Sequence, residues 1–113
     1  AVEIISQMHD ADVLVFVTPV YYYSVSGQLK TMLDRANPRF DTDYAFTKAY
    51  LLATAAEDEP ETVEGTEKAV QGWVDCFPRC ELVETVIAGG VNGVGEIAGH
   101  PALERAYRAG KEV

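Results

Sequence analysis

The sequence predicts an α/β protein built on a doubly wound parallel sheet, with three strands in this chain and helices on both faces. Three observations carry that reading. Helix-periodic and strand-like segments alternate from one end of the chain to the other. One of them, Val13 to Val17, is an unbroken β-branched and apolar run of the kind that fills the middle of a parallel sheet. The order is helix, strand, helix, strand, helix, strand, helix, and such alternation implies parallel strands joined by right-handed crossovers. At 113 residues the chain fits one domain with its own core.

Ala1 to Met8 places Val2, Ile5 and Met8 at near-helical spacing and reads as the last two turns of an amphipathic helix. Asp12 opens the strand Val13 to Val17, which Thr18 and Pro19 stop. Ser26 starts a helix whose Leu29, Met32, Leu33 and Ala36 share a stripe, and Asn37 and Pro38 end it. Lys48 to Ala55 is a second apolar strand. The acidic stretch Glu57, Asp58, Glu59, Pro60 and Glu61 suits a helix N-terminus, where the dipole favours negative charge, and Val70, Trp73, Val74 and Phe77 form the apolar face that follows. Glu81 to Ile87 is interrupted by Glu84 and Thr85, which predicts a half-exposed edge strand. After a glycine-rich loop from Gly89 to Gly99, Pro101 opens a final helix with Leu103, Ala106, Tyr107 and Gly110 as its stripe.

The first strand poses a topological question. A segment built for the middle of a sheet needs a neighbour on each side, yet it is the first strand of the chain. Its free edge is therefore expected to be covered, by an N-terminal segment or by another copy in a homo-oligomer.

A formal net charge of -9 and a pI near 4.5 argue against nucleic acid or an anionic membrane surface as partner, since both would be repelled. No apolar run approaches the roughly 20 residues of a membrane-spanning helix, and the opening residues do not resemble a signal peptide, so a cytoplasmic location is expected. Cys76 and Cys80, in Cys-Phe-Pro-Arg-Cys, supply at most half of a tetrahedral metal site and read as reduced, small apolar residues. No metal is expected.

The segment from Thr18 to Arg35, Thr-Pro-Val-Tyr-Tyr-Tyr-Ser-Val-Ser-Gly-Gln-Leu-Lys-Thr-Met-Leu-Asp-Arg, resembles the flavin-loop motif of the flavodoxin-like NAD(P)H-dependent FMN reductases and multimeric flavodoxins. Leu51 to Thr54, Trp73, Ala106 and Tyr107 agree with it. The resemblance aligns residues 1–113 with that family's third strand onward, as a partial flavodoxin-like domain without the first strand, phosphate loop, first helix and second strand. It implies an FMN-dependent oxidoreductase that takes electrons from NAD(P)H and passes them to a small-molecule acceptor or a redox protein. In such chemistry the cofactor carries out the hard step, so no catalytic acid or base is expected.

The residues are suited to that role. In open α/β sheets ligands lie outside the carboxyl ends of strands. Thr18, Pro19, Val20, Tyr21, Tyr22, Tyr23 and Ser24 follow such an end: the proline stiffens the turn, the tyrosines offer aromatic faces, and Ser24 and Ser26 offer hydroxyls. The resemblance places Thr54, Ala55 and Ala56 near the flavin's pyrimidine edge, where many relatives carry glycine. Glu57 and Asp58 just behind them would oppose the gain of negative charge there. Gly93 to Ala98 imitates a dinucleotide fingerprint, but residues intervene before Pro101 and the acidic partner is missing, so a plain loop is expected. Without a phosphate-binding turn, FMN is expected to bind weakly or not at all. The alternative reading is accordingly a flavodoxin-like remnant that binds no FMN and serves as an oligomeric interaction module. A phosphoacceptor receiver would need an Asp at a central strand end, where Thr18 stands.

Overall fold

The computed structural model describes residues 2–39 and 42–113. The elements run α1 (Val2–Asp10), β1 (Val13–Pro19), α2 (Gly27–Arg35), a single 3-10 turn (Asn37–Arg39), β2 (Lys48–Thr54), α3 (Pro60–Asp75), β3 (Glu81–Ala88) and α4 (Pro101–Lys111). Ala1, which the sequence assigns to the first helix, lies outside the described residues. The three strands form one parallel sheet in the order β1-β2-β3.

Strand alternation divides the sheet into two layers. Leu14, Phe16, Ala49 and Leu51 face one way and pack with Leu33 of α2 and Val70 and Val74 of α3, while Met8 of α1, Leu82 and Trp73 close the margin. Leu52, Val86 and Ala88 face the other way and meet Ala102 and Ala106 of α4. Helices therefore cover both faces, three on one side and one on the other. β3 serves both layers through an irregularity in its register: Ala49 pairs with Leu82, but the next residue, Tyr50, pairs with Glu84. Val83 is the extra residue of this bulge, and it reverses the inside and outside positions along the strand. The mixed pattern from Glu81 to Ile87 thus has two causes, an edge position and a change of parity.

The larger core is aromatic. Tyr44 and Phe46 are both 2% exposed and stack at 4.5 Å, with Phe77 5.3 Å from Phe46 and Trp73 4.2 Å from Phe77. Trp73 satisfies its buried indole by donating Nε1–H to the Leu33 carbonyl at 3.0 Å, which ties α3 to α2. The Tyr44 hydroxyl accepts from the Arg79 backbone N–H, and the Arg79 guanidinium lies 4.1 Å from the same ring. Tyr44 and Phe46 belong to the extended segment before β2, where the sequence reading identified no element. The apolar stripe Val70, Trp73, Val74 and Phe77 packs as its spacing predicts.

Three expectations are corrected. β1 is not buried on both faces: its burial alternates, with Leu14, Phe16 and Thr18 inside while Val15 is 51% and Val17 68% exposed. The reason is that α4 packs on β3 and reaches β2 only at Leu52, short of β1. The inner stripe of α4 is Ala102, Ala106 and Ala109, whereas Tyr107 lies largely in solvent and the half-exposed Leu103 borders the bare half of the sheet beside Val17. Cys76 is exposed and only Cys80 packs against the core; burial, with a smaller effect of Glu81, pushes the Cys80 thiol up from its ordinary value.

Phe46→Ala should lower the free energy of unfolding by about 3–5 kcal/mol, because it opens a cavity among the rings of Tyr44, Trp73 and Phe77. Urea unfolding followed by Trp73 fluorescence measures this, and a loss below about 1 kcal/mol would mean that the aromatic cluster is not the main core.

Candidate functional site

β1 and β2 pair in parallel from Val13 with Lys48 to Pro19 with Thr54, so their carboxyl ends lie side by side and release two loops at the same edge. One bond extends the pairing past β1, from the Val20 N–H to the Thr54 carbonyl at 2.8 Å. The two predicted loops are thereby neighbours. Between them and the start of α3 lies an open cavity of about 300 Å³, lined by Val20, Tyr22, Tyr23, Ala56, Glu57 and Thr62. Four of these, Val20, Tyr22, Tyr23 and Ala56, are among the cofactor contacts the sequence predicts, and Glu57 is the acid expected just behind them.

The tyrosine loop is a tight turn. Tyr21 and Ser24 exchange two backbone hydrogen bonds of 3.0 Å, and the two residues between them, Tyr22 at φ 47° and Tyr23 at φ 67°, occupy the left-handed region. Turns of this geometry ordinarily take Asn-Gly. A left-handed conformation costs a residue with a Cβ about 1–2 kcal/mol, and two adjacent tyrosines hold it here. The result is display: Tyr22 is 98% exposed, and Tyr21 and Tyr23 are each 59% exposed. Val25 returns to the core and anchors the far end.

The remaining predicted residues frame this display. Thr18 is buried; its hydroxyl donates to the Pro19 carbonyl at 2.8 Å and accepts the Ser26 N–H at 2.9 Å, which binds the tip of β1 to the start of α2. The Ser26 hydroxyl caps α2 by accepting the Leu29 N–H, so it is committed inside the chain. Ala55 is also buried, with its N–H donated to the Ala88 carbonyl and its own carbonyl accepting from Val91. Ala56 is exposed, and its carbonyl lies 3.4 Å from Asn92 Nδ2. Thr18, Ser26 and Ala55 thus hold the site together, and the surface open to a ligand comes from Val20, Tyr22, Tyr23, Ala56, Glu57 and Thr62.

Sequence reading missed Thr62. Its hydroxyl and that of Thr66, one turn later, are buried without a hydrogen-bond partner on the same side of α3. No sequence signal distinguished them from other polar helix residues. The loop after β3 closes in from the far side: a Cβ at Gly89 would come within 3.0 Å of the Asp58 Cα, so glycine is required for this approach. Gly93 to Ala98 is a run of turns, and its successor His100 fixes the loop through a 2.9 Å contact with the Gly89 carbonyl while its Nδ1 accepts the Ala102 N–H.

Family comparison matches residues 1–76 to a family described as NADPH-dependent FMN reductase. The chain belongs to this family. The flavin reductase match ends just past α3 and includes both loops of the cavity. Comparison with curated proteins gives no significant match. Among solved structures, an NAD(P)H:quinone oxidoreductase from Methanothermobacter marburgensis superposes with a TM-score of 0.71 at 24% identity, over 98% of this chain and 60% of that one. The chain thus spans about 60% of that protein's length, and the likeness shows a shared fold.

The cavity fits one part of the family's cofactor better than the other. Two tyrosine rings and an alanine beside about 300 Å³ of space suit a planar aromatic system. The described helix starts do not suit a phosphate: α2 and α4 are capped by their own Ser26 and His100, and α3 begins among Glu57, Asp58, Glu59 and Glu61. Among the described residues no cluster of three or more metal-ligating side chains occurs, and no helix is long and apolar enough to cross a membrane.

Thr18→Val should cost about 1–2 kcal/mol, since it leaves the half-buried Ser26 N–H without its acceptor. Equilibrium unfolding checks the loss. Chymotryptic cleavage after Tyr21 to Tyr23 should accelerate with it, because the loop would lose the bond that fastens its far end to the tip of β1.

Proposed function

We propose that this chain is the ring-binding part of a cytoplasmic FMN-dependent oxidoreductase, which takes electrons from NAD(P)H and delivers them to a quinone-like small molecule or a redox protein. The observation that carries this is the cavity between the tyrosine turn and the β2–α3 loop, at the carboxyl ends of adjacent parallel strands, in a member of the flavin reductase family. The flavin would supply the hydride and electron chemistry when bound.

This chain's own residues bind, orient and tune. Tyr22 and Tyr23 present aromatic faces for stacking, worth about 0.5–1.5 kcal/mol for each well-placed ring. Val20 and Ala56 form the apolar margin, Thr54 stands at the end of β2, and Thr62 lies at the base of the cavity. Glu57 faces the same space and opposes added negative charge, which would lower the electron affinity of a bound ring. Phosphate recognition would come from chain beyond these residues, so the chain alone should hold the ring weakly.

Titration with FMN and with riboflavin, followed by flavin fluorescence, tests this. Both should bind in the high micromolar to millimolar range, within about 3-fold of each other because the phosphate finds no partner, and Tyr22→Ala or Tyr23→Ala should weaken both by about 3–10-fold. No fluorescence change with either ligand near 1 mM would rule out ring binding by this chain.

A second reading has its own support. The uncovered edge and outer face of β1, with Val15 and Val17 in solvent, favour an oligomeric interaction module in which another copy covers that strand. Sedimentation velocity should then show a dimer that Val15→Lys and Val17→Lys together convert to monomer. A wild-type monomer at 100 μM would count against this reading.

A further inference from the structure

Helix α3 contains two glycines, Gly65 and Gly72, and they stand in opposite surroundings. Glycine inside a helix is a poor choice, less stable than alanine, so its presence asks for a packing reason. Gly72 has none: a Cβ there would meet open space. At Gly65 a Cβ would run into the backbone carbonyl oxygen of Tyr23, with the Tyr23 carbonyl carbon 3.1 Å away. The obstacle is backbone, so it cannot be relieved by swinging a side chain aside. Tyr23 is also one of the two residues of the tyrosine turn with positive φ, and strain of that sort persists only where the surroundings over-determine it.

We propose that Gly65 is a positioning residue for the tyrosine turn. Its bare Cα lets the Tyr23 carbonyl seat directly on α3, and that seat holds Tyr22 and Tyr23 in the left-handed conformation that presents both rings at the cavity. Thr62, one turn earlier on α3, lines the same cavity, so the contact also sets the distance between the helix and the tyrosines. The helix gives up stability at position 65 in exchange for a fixed aromatic surface. The consequence for ligand binding rests on the flavin-ring reading above; the seating of the turn does not.

The two glycines provide the test. Gly72→Ala should raise the melting temperature by a few degrees and leave the turn unchanged, because only helix propensity is altered. Gly65→Ala should do the opposite: the melting temperature should fall, and chymotryptic cleavage after Tyr21 to Tyr23 should rise at least 10-fold, measured well below melting. In a background carrying Tyr22→Gly and Tyr23→Gly, where the turn is free to find another path, the thermal loss from Gly65→Ala should largely disappear. That background also serves if Gly65→Ala alone does not fold. Equal gains in melting temperature from both glycine substitutions, or a Gly65→Ala loss that is the same in both backgrounds, would overturn the proposal. Flavin titration of the same variants separates the two claims: if wild type binds no flavin, the ring-binding reading fails while the melting and cleavage results still decide the role of Gly65. If wild type does bind, Gly65→Ala should weaken riboflavin at least 5-fold, and unchanged affinity alongside a loosened turn would overturn its positioning role.

Discussion

The parallel pairing of β1 with β2 is the constraint on which the rest of the molecule depends. Seven residues of each strand run in register without a break, and one further bond beyond the ladder binds Val20 to Thr54. Two segments about 35 positions apart in sequence are thereby brought to the same edge, and each supplies one wall of the cavity. The aromatic core beneath the sheet stabilises that pairing from one side, and the alanine face of α4 covers β3 and Leu52 of β2 from the other.

The polar groups nearest the cavity divide into two kinds. Those of Thr18, Ser26 and Ala55 are spent on internal hydrogen bonds, which stiffen the strand tips and satisfy groups that burial would otherwise penalise. The tyrosines of the turn, in contrast, have been pushed outward by a backbone conformation that aromatic residues seldom adopt. Internal satisfaction combined with outward display gives a preformed surface, and such a surface is spared the cost of ordering on binding.

Much of this was legible in the sequence, for identifiable reasons. Alternating periods announced the α/β class, and the run from Val13 to Val17 announced a strand, because those signals are local. Tyrosines after a strand end pointed to the edge where the cavity opens, because loops leave parallel strands side by side there. Burial on the second face of β1 could not be read, since it depends on how far α4 reaches, and an apolar run looks the same whether its cover lies within the chain or outside it. The α4 stripe was misplaced by about one position for a related reason: Leu103 borders the uncovered half of the sheet and Tyr107 lies largely in solvent. Tyr44 and Phe46 escaped notice because two buried aromatics in an extended connector carry no period. Thr62 and Gly65 gained their significance only from what the fold sets against them.

The bulge at Val83 has a consequence for how this chain can change. β3 contributes Leu82 to one layer and Val86 and Ala88 to the opposite one, and a single additional residue makes that possible. Side-chain chemistry on the outer rim of β3 is free to drift. Its residue count beyond the bulge is not: losing Val83 itself would only restore a regular ladder, but one position gained or lost just after Glu84 would turn Val86 and Ala88 toward the other layer. Length, more than composition, is what selection must preserve in that strand.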